Sequence, residues 1–170
     1  MIKYEWRTGL GPGEAAELAA LLDRAAYHDA EAEHNSIDFG AVQRAMDAGT
    51  DSVRHLVIWM LPHTTALDQP DDPERIAGLI RLEFTGTREA EVTAVVDPML
   101  RSIGIMTLLL EQAGVQPDPQ LGWLGSGAHV LRAWARGNHP AAGRISKRFL
   151  IPSHRRIWKL VRPLDGLEGT

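Results

Sequence analysis

Cysteine is absent from the 170 residues, which excludes disulfides, thiolate metal sites and a cysteine nucleophile. Long apolar runs are absent too. None approaches the ~18 residues of a membrane span, and the opening MIKYEWRTGL lacks the apolar centre of a signal peptide. A cytoplasmic protein with no membrane partner is the expectation. Lysine is scarce, 3 residues against 15 arginines, and neither sign of charge dominates, the net charge being −4. Nothing therefore points to nucleic acid as a partner, and a bound polyanion would need a local arrangement to hold it. What remains is ordinary for a globular chain: 44% hydrophobic and 24% charged residues, long enough for one domain around one core.

Periodicity divides the chain into short elements. IKYEWR alternates as a strand, and Leu18, Leu21, Leu22 and Ala25 then recur at helical spacing. A second helix is expected around DFGAVQRAMDAG, with Asp38 as its cap. VRHLVIWML reads as a strand, HTTALDQPDDPE as a loop, and RIAGLIRLEF and EVTAVVDP as an antiparallel hairpin joined by TGTREA. IGIMTLLLEQAG is a helix ended by Gly114, VQPDPQLGWLGSG a loop, HVLRAWAR a strand and HPAAGRISKRFL a helix. RRIWKLVRPL closes the chain as a strand ended by Pro163. The order β α α β β β α β α β predicts a mixed α/β (α+β) sheet, mostly antiparallel, with helices on both faces.

The segment VVDPMLRSIGIMTLLLEQ carries the chemistry. Amides at the start of a helix lack intrahelical partners and sit at the positive end of its dipole, so a diphosphate can rest there. An arginine placed like Arg101 can add charge-assisted hydrogen bonds, and a glycine like Gly104 keeps side chains off the backbone. On spacing alone, an ordinary strand–turn–helix connection remains the alternative.

In this element order, VVDP followed by Arg101 and Gly104 resembles the acyl-CoA signature of the GNAT acetyltransferases. "WARGNHPAAGRISKRFLIPSHRRIWKLVRPL" looks like the end of the amino-terminal repeat of mycothiol synthase, and HLVIWM and YEWR fit its early strands. The resemblance implies one GNAT domain over residues 1–164, with 165–170 as a short tail. It implies acetyl-CoA as co-substrate, no metal, and an amine of a small metabolite as acceptor. A homodimer is left open. The strands VTAVV and VLRAWAR would splay apart to admit the pantetheine arm, bonded by backbone groups of Ala94, Val95 and Val96. Backbone amides of Arg101, Ser102, Ile103, Gly104, Ile105, Met106 and Thr107 would hold the diphosphate, and Asn138 would lie near the pantetheine.

The sequence departs from the family pattern at several positions. Ser102 replaces a frequent glycine, Met106 the second small residue, and Leu150 a usual glycine after the last helix. The tyrosine that many members use to protonate the departing thiolate has Ile145 or Ser146 in its place; the only tyrosines are Tyr4 and Tyr27. Glu89 and Glu91 share one strand face near the family's usual glutamate, as a base for the ammonium proton or as two solvated carboxylates at a hairpin end. Glu83 is a similar candidate. These features give two functional readings: an N-acetyltransferase, or an acyl-CoA-binding module with little activity. Other motifs carry less. HDAEAEH lacks metal-ligand spacing, GLGPG lacks the dinucleotide pattern, and no strand leads into Ser126 of GSG. HRRIWKLVR reads as a sheet strand rather than a basic patch. Trp59, Trp134 and Trp158 are expected in the core or on a sheet face.

Overall fold

The computed structural model describes residues 1–29, 37–61, 74–135 and 140–156. Five strands form one sheet in the order β1-β2-β3-β4-β5: β1 Ile2–Arg7, β2 Val53–Met60, β3 Arg75–Phe84, β4 Glu89–Val96 and β5 Val130–Ala133. The first four are antiparallel, and β5 runs parallel to β4. The helices are α1 Pro12–Asp29, α2 Phe39–Ala48, α3 Ile105–Ala113 and α4 Pro140–Arg148. A single 3-10 turn at Trp123–Gly125 falls within an expected loop, and another at Pro98–Leu100 begins where the expected strand EVTAVVDP was to end, β4 itself stopping at Val96.

Strand alternation sorts the β-branched runs onto two faces. Val57, Trp59, Leu79 and Val95 pack under Leu18, Leu21, Leu22 and Ala25 of α1 and Val42 of α2. Leu56, Ile58, Ile80 and Leu82 point the other way and meet Ile105 and Leu109 of α3. Each buried leucine or isoleucine contributes about 2 kcal/mol, so the two layers hold the sheet from both sides. Asp38 caps α2 as expected, its carboxylate accepting the Ala41 amide at 2.7 Å. The long segment after α3 is pinned by indoles. Trp6 Nε1 donates to Leu124 O at 2.8 Å, Trp123 Nε1 donates to Gly114 O at 2.9 Å, and the two rings meet edge to face at 6.3 Å.

Three expectations change. Strand β5 spans four residues, not the eight of HVLRAWAR, because its ladder with β4 ends at Val92↔Ala133. Trp59 is buried as expected, whereas Trp134 lies beyond the end of β5 and is 41% exposed. Residues 155 and 156 are in no element, and the rest of the expected last strand, with Trp158, lies outside the described residues, as do His34 and Asn138.

Candidate functional site

Strands β4 and β5 part after four paired residues. Thr93 begins the stretch of β4 that has left the β5 ladder, and Ala94, Val95 and Val96 follow it along the opening. On the other side β4 stays in register with β3 to Gly78↔Val96, so the sheet is continuous as far as the gap and open beyond it. The chain then makes a tight turn. Asp97 caps the 3-10 turn, its carboxylate accepting the Met99 amide at 3.0 Å, and α3 begins at Ile105.

The turn leaves a run of amides outside the sheet and helix ladders. Arg101 N–H donates to Pro98 O, and the first bond of the α3 ladder is Leu108 N–H to Gly104 O at 2.8 Å. Among the described residues, no acceptor meets the six amides of residues 102–107 between them. Left-handed backbone at Ser102 (φ 70°) and Gly104 (φ 93°) makes this row. The family's frequent glycine at the Ser102 position has its reason in that φ. A β-carbon at Gly104 would meet no heavy atom within 4 Å, so the space beside that residue is open. Met106 does not fill it, because its side chain packs against the α3-side core. Consecutive amides at a helix start without protein acceptors are what an anion with several oxygens requires.

The side chain of Arg101 is engaged elsewhere. Its Nη1 and Nη2 donate to Asp29 Oδ1 and Oδ2 at 2.6 and 2.8 Å, and its Nε donates to Val96 O at 3.1 Å. Arg24 donates to Asp97 Oδ2 at 2.5 Å. Neither Asp29 nor Arg24 stood out in the sequence, since an aspartate or arginine on a helix is ordinary without knowledge of what faces it.

The candidate carboxylates lie just above the opening. Glu89 and Glu91 fall in the paired part of β4, level with Val130 and Arg132. Arg132 Nη1 donates to Glu89 Oε2 at 2.5 Å. Glu91 is level with Glu83 on β3, whose carboxylate accepts from Arg81 at 2.6 Å. One row nearer the gap, Arg7, His55, Arg81 and Thr93 run across the α1 face in register. Burial, with the nearby charge of Arg81, pushes the His55 imidazole down to about 4. Its Nε2 meets no hydrogen-bond partner among the described residues. Helix α4 carries no tyrosine, and the Ser146 hydroxyl donates to Ile151 O at 2.8 Å, closing the helix end. Tyr4 packs against the α3-side core and Tyr27 is exposed on α1. Ser126 is buried in the loop, its Oγ accepting the Ala128 amide. Among the described residues, no group of three His, Asp or Glu gathers to hold a metal, and no helix is long and apolar enough to cross a membrane.

A parallel pair that splays beside a row of helix-start amides defines the class: this is the GNAT acetyltransferase fold. A GNAT acetyltransferase from Streptococcus pneumoniae superposes with a TM-score of 0.54 at 18% identity, covering 86% of this chain and 82% of that one. The N-acetyltransferase PseH of Campylobacter jejuni, solved with acetyl coenzyme A, gives 0.55 at 16% identity, covering 92% of both. In sequence the chain is similar to mycothiol acetyltransferases. That of Rhodococcus opacus is 32% identical over 164 residues, 96% of this chain and 46% of the relative. That of Mycolicibacterium smegmatis is 30% identical over 168 residues, 98% of this chain and 48% of the relative. The chain spans about half the length of these curated relatives. No family model matches it.

Proposed function

We propose that this domain binds acetyl-CoA across the β4–α3 turn and the β4/β5 gap, and transfers the acetyl group to an amine of a small molecule. The observation that carries this reading is the end of the β4/β5 ladder at Val92↔Ala133 beside six amides that meet no acceptor among the described residues. The amides of residues 102–107 would hold the diphosphate, and the backbone of Ala94, Val95 and Val96 would line the pantetheine. Asn138 is kept as a pantetheine neighbour on the family resemblance alone. When bound, acetyl-CoA supplies an activated thioester carbonyl.

The chain's own contribution is position and a proton acceptor. An ammonium acceptor must lose its proton before its lone pair can attack, and holding amine and thioester together removes most of the entropy barrier. Glu91 is the better base by location, being two residues from the opening at Thr93. Glu89 lies two residues farther along the paired part of β4. With no tyrosine in α4, the thiolate would take its proton from water.

That same absence favours a second reading, an acyl-CoA-binding module with little activity. Purified protein, acetyl-CoA and a panel of amines, followed by free-thiol release, separates the two. Transfer is expected with at least one amine, and Glu91→Gln should lower turnover by about 10²–10⁴-fold with CoA affinity nearly unchanged. Thiol release no faster than in buffer for every amine would leave only the binding module.

A further inference from the structure

Two ion pairs of opposite sense bolt helix α1 to the β4–α3 turn. Arg24 of α1 reaches Asp97 at the start of the turn, and Asp29, the last residue of α1, grips Arg101 near its end. Both carboxylates are nearly buried, with side chains 8% exposed at Asp97 and 10% at Asp29. The Asp29–Arg101 contact is bidentate, the strong form of this pair, and the remaining Nε–H of the guanidinium binds the β4 backbone at Val96. The signs also fix register. Displacing the turn one way along α1 would bring Arg101 towards Arg24, and displacing it the other way would bring Asp97 towards Asp29, each a like-charge encounter.

We infer that Asp29 is a positioning residue for the diphosphate-binding amides, acting through Arg101, whose side chain serves as an anchor and not as a phosphate ligand. The inference rests on the acyl-CoA reading of the turn. Its physical basis is that Arg101 and the amides of residues 102–107 lie on one short piece of backbone. Fixing the guanidinium to α1 and to Val96 O fixes where those amides point. With Asp29 neutralising Arg101, attraction for an anion falls to the amides and the α3 dipole.

The two roles for Arg101 predict opposite responses to losing Asp29. The full chain is titrated with CoA by calorimetry, at a temperature where circular dichroism reports each variant fully folded. Asp29→Asn and Arg101→Gln should each raise the Kd by about tenfold, a coupling typical of residues in contact. The double variant, which leaves no buried charge without its partner, should be no worse than the poorer single. Asp29→Glu, which keeps the pair, should recover most of the affinity. If transfer is observed, the KM for acetyl-CoA should rise while the KM for the amine stays put. Should Asp29→Asn bind CoA as tightly as wild type or more tightly while Arg101→Gln binds weakly, Arg101 is a direct ligand and the inference is wrong. Additive effects in the double variant would overturn it equally. Failure of the wild type to bind CoA at all would be a different result, sinking the acyl-CoA reading and the inference with it.

Discussion

Leu150 holds a left-handed backbone at φ 54° with its side chain 86% exposed. It follows α4, whose last helical bond is Phe149 N–H to Ile145 O at 3.0 Å, and Ile151 N–H then donates to Ser146 O at 2.9 Å in the 6→1 bond of a left-handed helix end. A β-carbon in that conformation costs about 1–2 kcal/mol, and the exposed leucine has little packing to offset it. Leu150→Gly should therefore stabilise the domain by up to about 1 kcal/mol, read as a rise in the urea midpoint at constant slope. An unchanged or lowered midpoint would mean that the leucine makes a compensating contact. His55 acts in the opposite direction, as a group kept neutral. Its imidazole is depressed from 6.5 to about 4, so between those values the unfolded chain takes up a proton that the folded chain refuses. The stability tied to this residue is present above pH 6.5 and is lost as the pH falls towards 4. At about 1.4 kcal/mol for each tenfold step in proton affinity, the loss amounts to about 3 kcal/mol. Denaturant curves from pH 7.5 to 4 should show that decline in the wild type and a shallower one in His55→Leu. Parallel declines would assign the acid sensitivity to other groups.

The elements show where sequence is informative. Bounds of β1 and β3 fall where the alternating and β-branched runs place them, at Ile2–Arg7 and Arg75–Phe84, because both are properties of one strand. Strand β5 was not legible in the same way, since its length is set by where β4 turns away and not by the composition of HVLRAWAR. The turn was legible as a backbone motif, from Asp97, Pro98, Arg101 and Gly104, yet the destination of the Arg101 side chain was not, because Asp29 lies 72 residues away. Met106, in place of the resembled pattern's second small residue, turns into the core, a direction fixed by α3's seat on the sheet. Gly78 is a further case that only the assembled sheet explains. It stands opposite Val96 on one side and Ile58 on the other, beside the register shift between Ile58 and Trp59. An added β-carbon there would lie 2.7 Å from Val95 O, a backbone atom that cannot move aside. Gly78→Ala should thus destabilise by about 1–3 kcal/mol and displace the β4 backbone along the gap. Its check is a lowered denaturant midpoint with weaker CoA binding in whatever fraction remains folded. A variant as stable as wild type, with unaltered CoA affinity, would mean that β4 can shift without cost and does not set the site.

At the scale of the whole molecule, every feature assigned to acyl-CoA lies inside this chain, although the chain is about half as long as its mycothiol acetyltransferase relatives. The gap belongs to β4 and β5, the amides to the turn into α3, and Asp29, which pairs with Arg101, to α1. Nothing in that set needs a second half, so ligand binding can be tested on the domain alone. A ligand at about 100 times its Kd stabilises the native state by about 2.7 kcal/mol. For a domain of this size each kcal/mol moves the Tm by roughly 2–4 °C. Saturating acetyl-CoA should therefore raise the Tm by at least ~5 °C, whether or not the domain is an active enzyme. CoA should do nearly as well, since the diphosphate and pantetheine are common to both. Adenosine, which has neither, should do little. Dephospho-CoA should keep most of the shift, because the amide row addresses the diphosphate rather than the ribose phosphate. A melting curve unmoved by millimolar acetyl-CoA would mean that six amides and a parted sheet are not enough to bind the ligand. The catalytic and the binding-module readings would then both be lost.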